Sequence, residues 1–100
     1  MGTVAVRLYA VTWVLSLPDD RQGWSLLTVL SGQSGQPLPM GIQLQIRDTK
    51  QLLSTQVLQT TTPDAALYAQ VGGEWNENFM VSIQLATGET FTLSPFTFTP

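Results

Sequence analysis

The chain has 100 residues, of which 43% are apolar and 11% are charged, and its formal net charge at pH 7 is −3. This length accommodates a single domain over residues 1–100, and the small share of charge requires a surface of uncharged polar groups. The sequence contains no cysteine and no histidine, which excludes disulfides, thiolate or imidazole metal sites and catalytic triads with an imidazole base. With only four Lys and Arg residues, we expect no nucleic-acid or membrane partner.

The first third of the chain predicts two strands joined by a turn. In residues 3–17 apolar side chains occur at both odd- and even-numbered positions, which would face opposite sides of a strand. No small-residue cleavage site follows them, so a strand is favoured over the core of a signal peptide. Residues 18–23 combine Pro, Asp and Gly, which are turn formers. Residues 24–31 predict a second strand, which is also apolar on both parities.

The middle of the chain predicts a hairpin. Residues 32–40 contain two Gly and two Pro and form the longest irregular stretch. Ile42, Leu44 and Ile46 then alternate with polar residues, which is typical of a strand with one buried face. A short turn at residues 48–51 leads into a fourth strand.

The segment at residues 65–71 has competing signals for helix and strand. Its alanines favour a helix, whereas the alternation of Leu67, Ala69 and Val71 with polar residues favours a strand. We predict a strand, followed by a loop at Gly72 and Gly73 because paired glycines weaken strands.

Two strands complete the predicted fold. Residues 79–85 alternate cleanly, and a turn leads into residues 90–98, where the apolar parity switches around Pro95 and indicates a bulge or an edge. Seven short strands with regular turn signals and no convincing helix predict an all-β, antiparallel sandwich of the immunoglobulin-like or fibronectin-like type.

One acidic loop contains the best cluster of polar groups. Glu74, Asn76, Glu77 and Asn78 offer oxygen ligands of the kind that calcium prefers. Glu74 and Glu77 are also the pair that a glycosidase mechanism would need, although a small sandwich offers little cleft for a sugar. A solvated or structural loop is the favoured interpretation, and we expect no cofactor, no metal and no catalytic residue.

The three tryptophans are candidates for either core or binding roles. Trp13 and Trp24 lie within strand patterns, and we expect both to be buried. Trp75 lies in the acidic loop, where burial and exposure are about equally expected. An exposed Trp24 or Trp75 would provide a stacking platform for a sugar, as in carbohydrate-binding modules.

The first predicted strand is apolar on both faces, which is unexpected in a small sandwich because one face of each strand is normally exposed to solvent. One interpretation is that loops of the same domain cover the second face. The other is that a partner protein or a second copy covers it. On the second interpretation the interaction surface consists of Tyr9, Val11, Trp13 and Leu15, together with Trp75.

Three stretches of the chain resemble a known family. These are residues 38–48, which place Pro39 and Gly41 before an alternating strand, residues 73–83 with the acidic turn, and the aromatic end at residues 96–98. Over roughly residues 11–100 the chain resembles the carboxy-terminal part of a cyanobacterial family, domain of unknown function 1822. Met40 and Trp75 stand where that family is expected to have small residues or Pro.

The resemblance implies that the chain is the C-terminal domain of longer cytoplasmic proteins with no established activity and no catalytic residues to transfer. The missing disulfides independently favour a reducing, cytoplasmic compartment. We therefore predict a non-catalytic module that binds another protein domain or itself, with a carbohydrate-binding module as the alternative.

Overall fold

The computed structural model describes residues 5–16, 18, 21–33, 36–59, 65–93 and 95–97. All regular elements in these ranges are strands, and there are seven of them, as predicted. They are β1 (Val6–Ser16), β2 (Gln22–Gly32), β3 (Gln43–Arg47), β4 (Leu52–Val57), β5 (Ala66–Glu74), β6 (Met80–Gln84) and β7 (Thr90–Thr92). The predicted break at residues 60–64 lies outside the described residues.

The strands form two antiparallel sheets. The first has the order β1-β2-β5 and the second has the order β4-β3-β6-β7. One apolar core lies between them, and it draws its buried side chains from β2 and β5 on one side and from β3 and β6 on the other. The predicted hairpin is confirmed as β3 and β4, and Ile42, Leu44 and Ile46 are fully buried, as their alternation predicts.

The centre of the core combines aromatic packing with satisfied polar groups. The rings of Trp24 and Phe79 lie with their centroids 4.8 Å apart and are tilted by 42°. The hydroxyl of Thr28 in the core donates to the carbonyl oxygen of Ala69 at 3.2 Å. On the opposite side of β2 the hydroxyl of Ser25 is also buried, and it donates to the carbonyl oxygen of Val71 at 2.7 Å. Each hydroxyl therefore recovers the hydrogen bond that it loses with water.

The predicted loop at Gly72 and Gly73 is wrong, because both glycines belong to β5 and pair with Ser25 and Trp24. A Cβ atom at Gly72 would lie 3.1 Å from Cδ1 of Leu15. The missing side chain therefore makes room for a neighbour that lies across the sheet, a tertiary reason for glycine in a strand.

The last predicted strand is shorter than expected. β7 ends at Thr92, although the N–H of Leu93 still donates to the carbonyl oxygen of Val81 at 3.0 Å, and the next bridge joins Phe79 and Phe96. This interruption agrees with the predicted irregularity around Pro95, since proline cannot donate to a ladder. Phe98 lies outside the described residues.

Candidate interaction surface

The pairing register determines which residues share each face of the first sheet. Trp24, Leu26 and Leu30 of β2 are buried in the core, so the even-numbered residues of this strand point inward. The odd-numbered residues of β1 and β2 and the even-numbered residues of β5 therefore share the opposite face, which we call the outer face. From one end to the other, its rows read Arg7-Ser31-Ala66, Tyr9-Val29-Tyr68, Val11-Leu27-Gln70, Trp13-Ser25-Gly72 and Leu15-Gly23-Glu74.

The outer face is largely apolar and much of it is open to solvent. Tyr9, Val11 and Tyr68 are 51%, 53% and 61% exposed, whereas Trp13 and Leu15 are half-buried. The charged residues lie at opposite corners, where Arg7 of β1 and Glu74 of β5 end the face. The centre of the face therefore carries aromatic and aliphatic groups without charge, which is the composition of the middle of a protein interface.

Four of the five predicted surface residues lie together on this face. Tyr9, Val11, Trp13 and Leu15 follow one another along β1. Trp75 does not join them, because it follows β5 in a turn and packs half-buried against the core. The prediction that Trp13 belongs to the core is wrong: its parity places it on the outer face, outside the buried cluster.

Tyr68, Leu27 and Val29 also lie on the outer face, and their place on this surface was not predicted from the sequence. The sequence did indicate that Tyr68 faces away from the core, because it alternates with the core residues Leu67 and Ala69 of its strand. That signal could not show that β5 lies in the same sheet as β1, since strand order depends on long-range pairing.

Trp24 does not offer an exposed stacking surface for a sugar, and Trp75 is half-buried. Trp24 is fully buried, and its Nε1 donates to the carbonyl oxygen of Glu77 at 3.3 Å. The prediction that Trp24 is a core residue is confirmed, and its alternative role in sugar stacking is wrong. The half-buried Trp75 packs its indole toward the core side of the domain.

The acidic loop is held by its own hydrogen bonds. Glu74 forms an ion pair with Arg21, while the carboxylate of Glu77 accepts from the backbone N–H of Glu74 at 3.2 Å. The backbone N–H of Glu77 donates in turn to the carbonyl oxygen of Glu74 at 3.0 Å. Each carboxylate thus has a structural partner, and within the described ranges no three acidic side chains converge as a metal site would require.

The loop borders an open depression of about 530 Å³ at one end of the sandwich. Glu74 and Glu77 line it on one side and the turn at residues 48–51 lines it on the other. Asp48 stabilises that turn, because its Oδ1 accepts from the backbone N–H groups of Lys50 and Gln51, both at 2.7 Å. The depression is therefore built from two turns and opens widely to solvent.

The same turn gives the protein a predictable acid response. The N–H groups of Lys50 and then Gln51 hold the pKa of Asp48 below its ordinary value of 3.8. A carboxylate with a lowered pKa contributes stability above its ordinary pKa, and this contribution disappears as the pH falls through the lowered value. We expect Asp48→Asn to lower the free energy of unfolding at neutral pH, with the difference from the wild type vanishing in strong acid. Urea unfolding across this range measures it, and a difference independent of pH would contradict the assignment.

No family model, curated protein or solved structure matches the chain. The described ranges contain no helix long and apolar enough to cross a membrane.

Proposed function

We propose that this chain is a non-catalytic protein-interaction module whose contact surface is the outer face of the β1-β2-β5 sheet. The observation that carries the proposal is the exposure of Tyr9, Val11 and Tyr68, each more than half open to solvent on one continuous apolar face. Soluble domains rarely leave such a face uncovered unless it makes contact with something. Tyrosine is also among the residues that contribute most to binding at protein interfaces.

The arrangement of charge supports the same proposal. Arg7 and Glu74 lie at the rim of the outer face, where residual solvent keeps charged groups hydrated. A partner therefore meets an uncharged centre and pays no desolvation cost for an unpaired ion there.

We also propose that the sandwich is of the immunoglobulin-like or fibronectin-like type. The strand order supports this assignment, since the first, second and fifth strands share one sheet and the third, sixth and seventh share the other. The constant-type immunoglobulin sandwich has the same arrangement except that its fourth strand lies beside the fifth. Here β4 pairs with β3 instead. The resemblance to the cyanobacterial family, the position as a C-terminal domain and the cytoplasmic location stay predictions.

Site-specific photo-crosslinking in the cells that produce the protein tests the proposed contact surface. A photoreactive amino acid replaces Val11, midway along β1 on the outer face, in one variant. In the control it replaces Thr55, an exposed residue of β4 on the other sheet. We expect a discrete adduct from position 11, mapped by mass spectrometry to one peptide of one protein, and none from position 55.

Two further substitutions make this test specific. Tyr9→Asn and Tyr68→Asn remove the exposed rings while changing the free energy of unfolding by less than about 1 kcal/mol, as for other exposed positions. We expect them to abolish the adduct from position 11. If position 11 gives no adduct, or if both positions give the same adducts, the outer face is not a contact surface.

A further inference from the structure

Strand β1 presents an open edge. Among the residues that the structure describes, β1 pairs with β2 alone, and its eleven residues continue in register from Val6 to Ser16 without a bulge. At the spacing of antiparallel strands this edge is about 37 Å long. It is the longest strand edge: β5, the other edge of the same sheet, has nine residues, β7 has three, and the pairing of β4 is interrupted by a register shift.

The alternation of hydrogen bonds identifies the backbone groups that point outward. The backbone N–H of Gln33 donates to the carbonyl oxygen of Ala5 at 3.3 Å, so these two residues form a hydrogen-bonded pair. In an antiparallel ladder such pairs recur at every second residue. The odd-numbered residues of β1 therefore bond to β2, and the outward N–H and C=O groups belong to Val6, Leu8, Ala10, Thr12, Val14 and Ser16.

This edge lacks the features with which proteins prevent pairing between chains. Exposed edges are normally interrupted by proline, a bulge or inward-pointing charges. Within β1 the only charged residue is Arg7, and no proline occurs. Ala10, Thr12 and Val14 are exposed, although as even-numbered residues of β1 they face the side of the sheet that carries the core. Both faces of the strand thus remain open beside an edge that no described residue pairs with.

The central seven residues of β1 are roughly symmetric about its midpoint, Val11. Counting outward, Ala10 corresponds to Thr12, Tyr9 to Trp13 and Leu8 to Val14, whereas at the strand ends Arg7 corresponds to Leu15 and Val6 to Ser16. We propose that β1 pairs with β1 of a second copy of this chain, antiparallel, about a two-fold axis through Val11. The inference goes beyond the proposed function, because pairing at the β1 edge leaves the outer face of each copy open to a further partner.

The proposed register pairs the outward backbone groups and brings aromatic side chains together across the contact. The outward groups of the two strands oppose one another and form about twelve hydrogen bonds. On the outer face Tyr9 lies opposite the Trp13 of the other copy, and an aromatic cross-strand pair of this kind stabilises a sheet. The two Arg7 side chains lie about 27 Å apart, so they do not repel. A two-fold contact is closed, so assembly stops at a dimer with one continuous six-stranded sheet.

Reciprocal charges at the edge test the pairing. In the proposed register Ala10 lies opposite Thr12 of the other copy, and both positions are exposed in the single chain. The variant Ala10→Lys/Thr12→Lys therefore places like charges opposite one another, as does Ala10→Glu/Thr12→Glu. By light scattering we expect wild-type protein to have twice the 10.9 kDa mass of the chain, each variant alone to have the single mass, and an equimolar mixture to recover the double mass.

The control and the contrary outcomes separate this inference from the proposed function. Thr55→Lys, on the other sheet, is expected to leave the dimer intact, and cooperative thermal unfolding of each variant shows that it is folded. Wild-type protein that stays monomeric at millimolar concentration would overturn the pairing, as would a lysine variant that remains dimeric. If position 11 still crosslinks to a different protein in that case, the interaction module stands and only the second copy is wrong.

Discussion

Replacing Trp24 by alanine is expected to lower the free energy of unfolding by about 3–5 kcal/mol, which is a large fraction of the stability of a domain of this size. Trp24 is fully buried and its ring packs on Phe79. Its indole N–H also donates to the carbonyl oxygen of Glu77. The substitution therefore leaves a large cavity between the sheets and removes a bond that fixes the acidic loop.

Equilibrium denaturation by urea measures this loss, with Trp13→Ala as the matched control. Trp13 is half-buried on the outer face, so its truncation leaves no enclosed cavity and is expected to cost clearly less. Equal losses for the two tryptophans would mean that the outer face is part of the core, and the proposed contact surface would be wrong.

Replacing Gly32 by alanine is expected to destabilise the protein by about 1–3 kcal/mol or more. A Cβ atom at the end of β2 would overlap the backbone carbonyl oxygen of Gln36. A backbone atom cannot rotate away as a side chain does, so the following loop must move. Where the native backbone is unstrained, a Gly→Ala substitution stabilises a protein by about 0.4–1 kcal/mol, because it reduces the conformational entropy of the unfolded chain. That gain is too small to offset the overlap.

Thermal and urea unfolding of Gly32→Ala measure this effect. Gln33→Ala, at the exposed neighbouring position, is the control and is expected to change the free energy of unfolding by no more than about 0.5 kcal/mol. A Gly32→Ala protein as stable as the wild type would show that the loop after β2 does not approach the strand as described.

Local patterns in the sequence predicted most of the strands because they depend on residues close together in the chain. The period of two at Ile42, Leu44 and Ile46 reports one buried face, whatever the neighbouring strand is. Gly72 and Gly73 were misassigned because their place in β5 depends on Leu15, a residue distant in sequence that lies over Gly72. No local signal carries that contact.

The candidate surface was predicted in part for the same reason. The residues along β1 could be identified because both parities of one segment are apolar. Tyr68 joins them only through the pairing of β2 with both β1 and β5, which the sequence does not specify. Trp75 was included on its position in a polar loop, whereas packing against the core decides its environment.

Residue-resolved amide exchange along β1, followed by NMR at low and high protein concentration, tests the open edge most directly. In dilute protein we expect the N–H groups of Tyr9 and Val11 to be protected by β2, and those of Ala10 and Thr12 to exchange rapidly. At high concentration the N–H groups of Ala10 and Thr12 should become protected as a second copy pairs with them. Protection of Ala10 and Thr12 already in dilute monomer, or rapid exchange at both concentrations, would contradict the account.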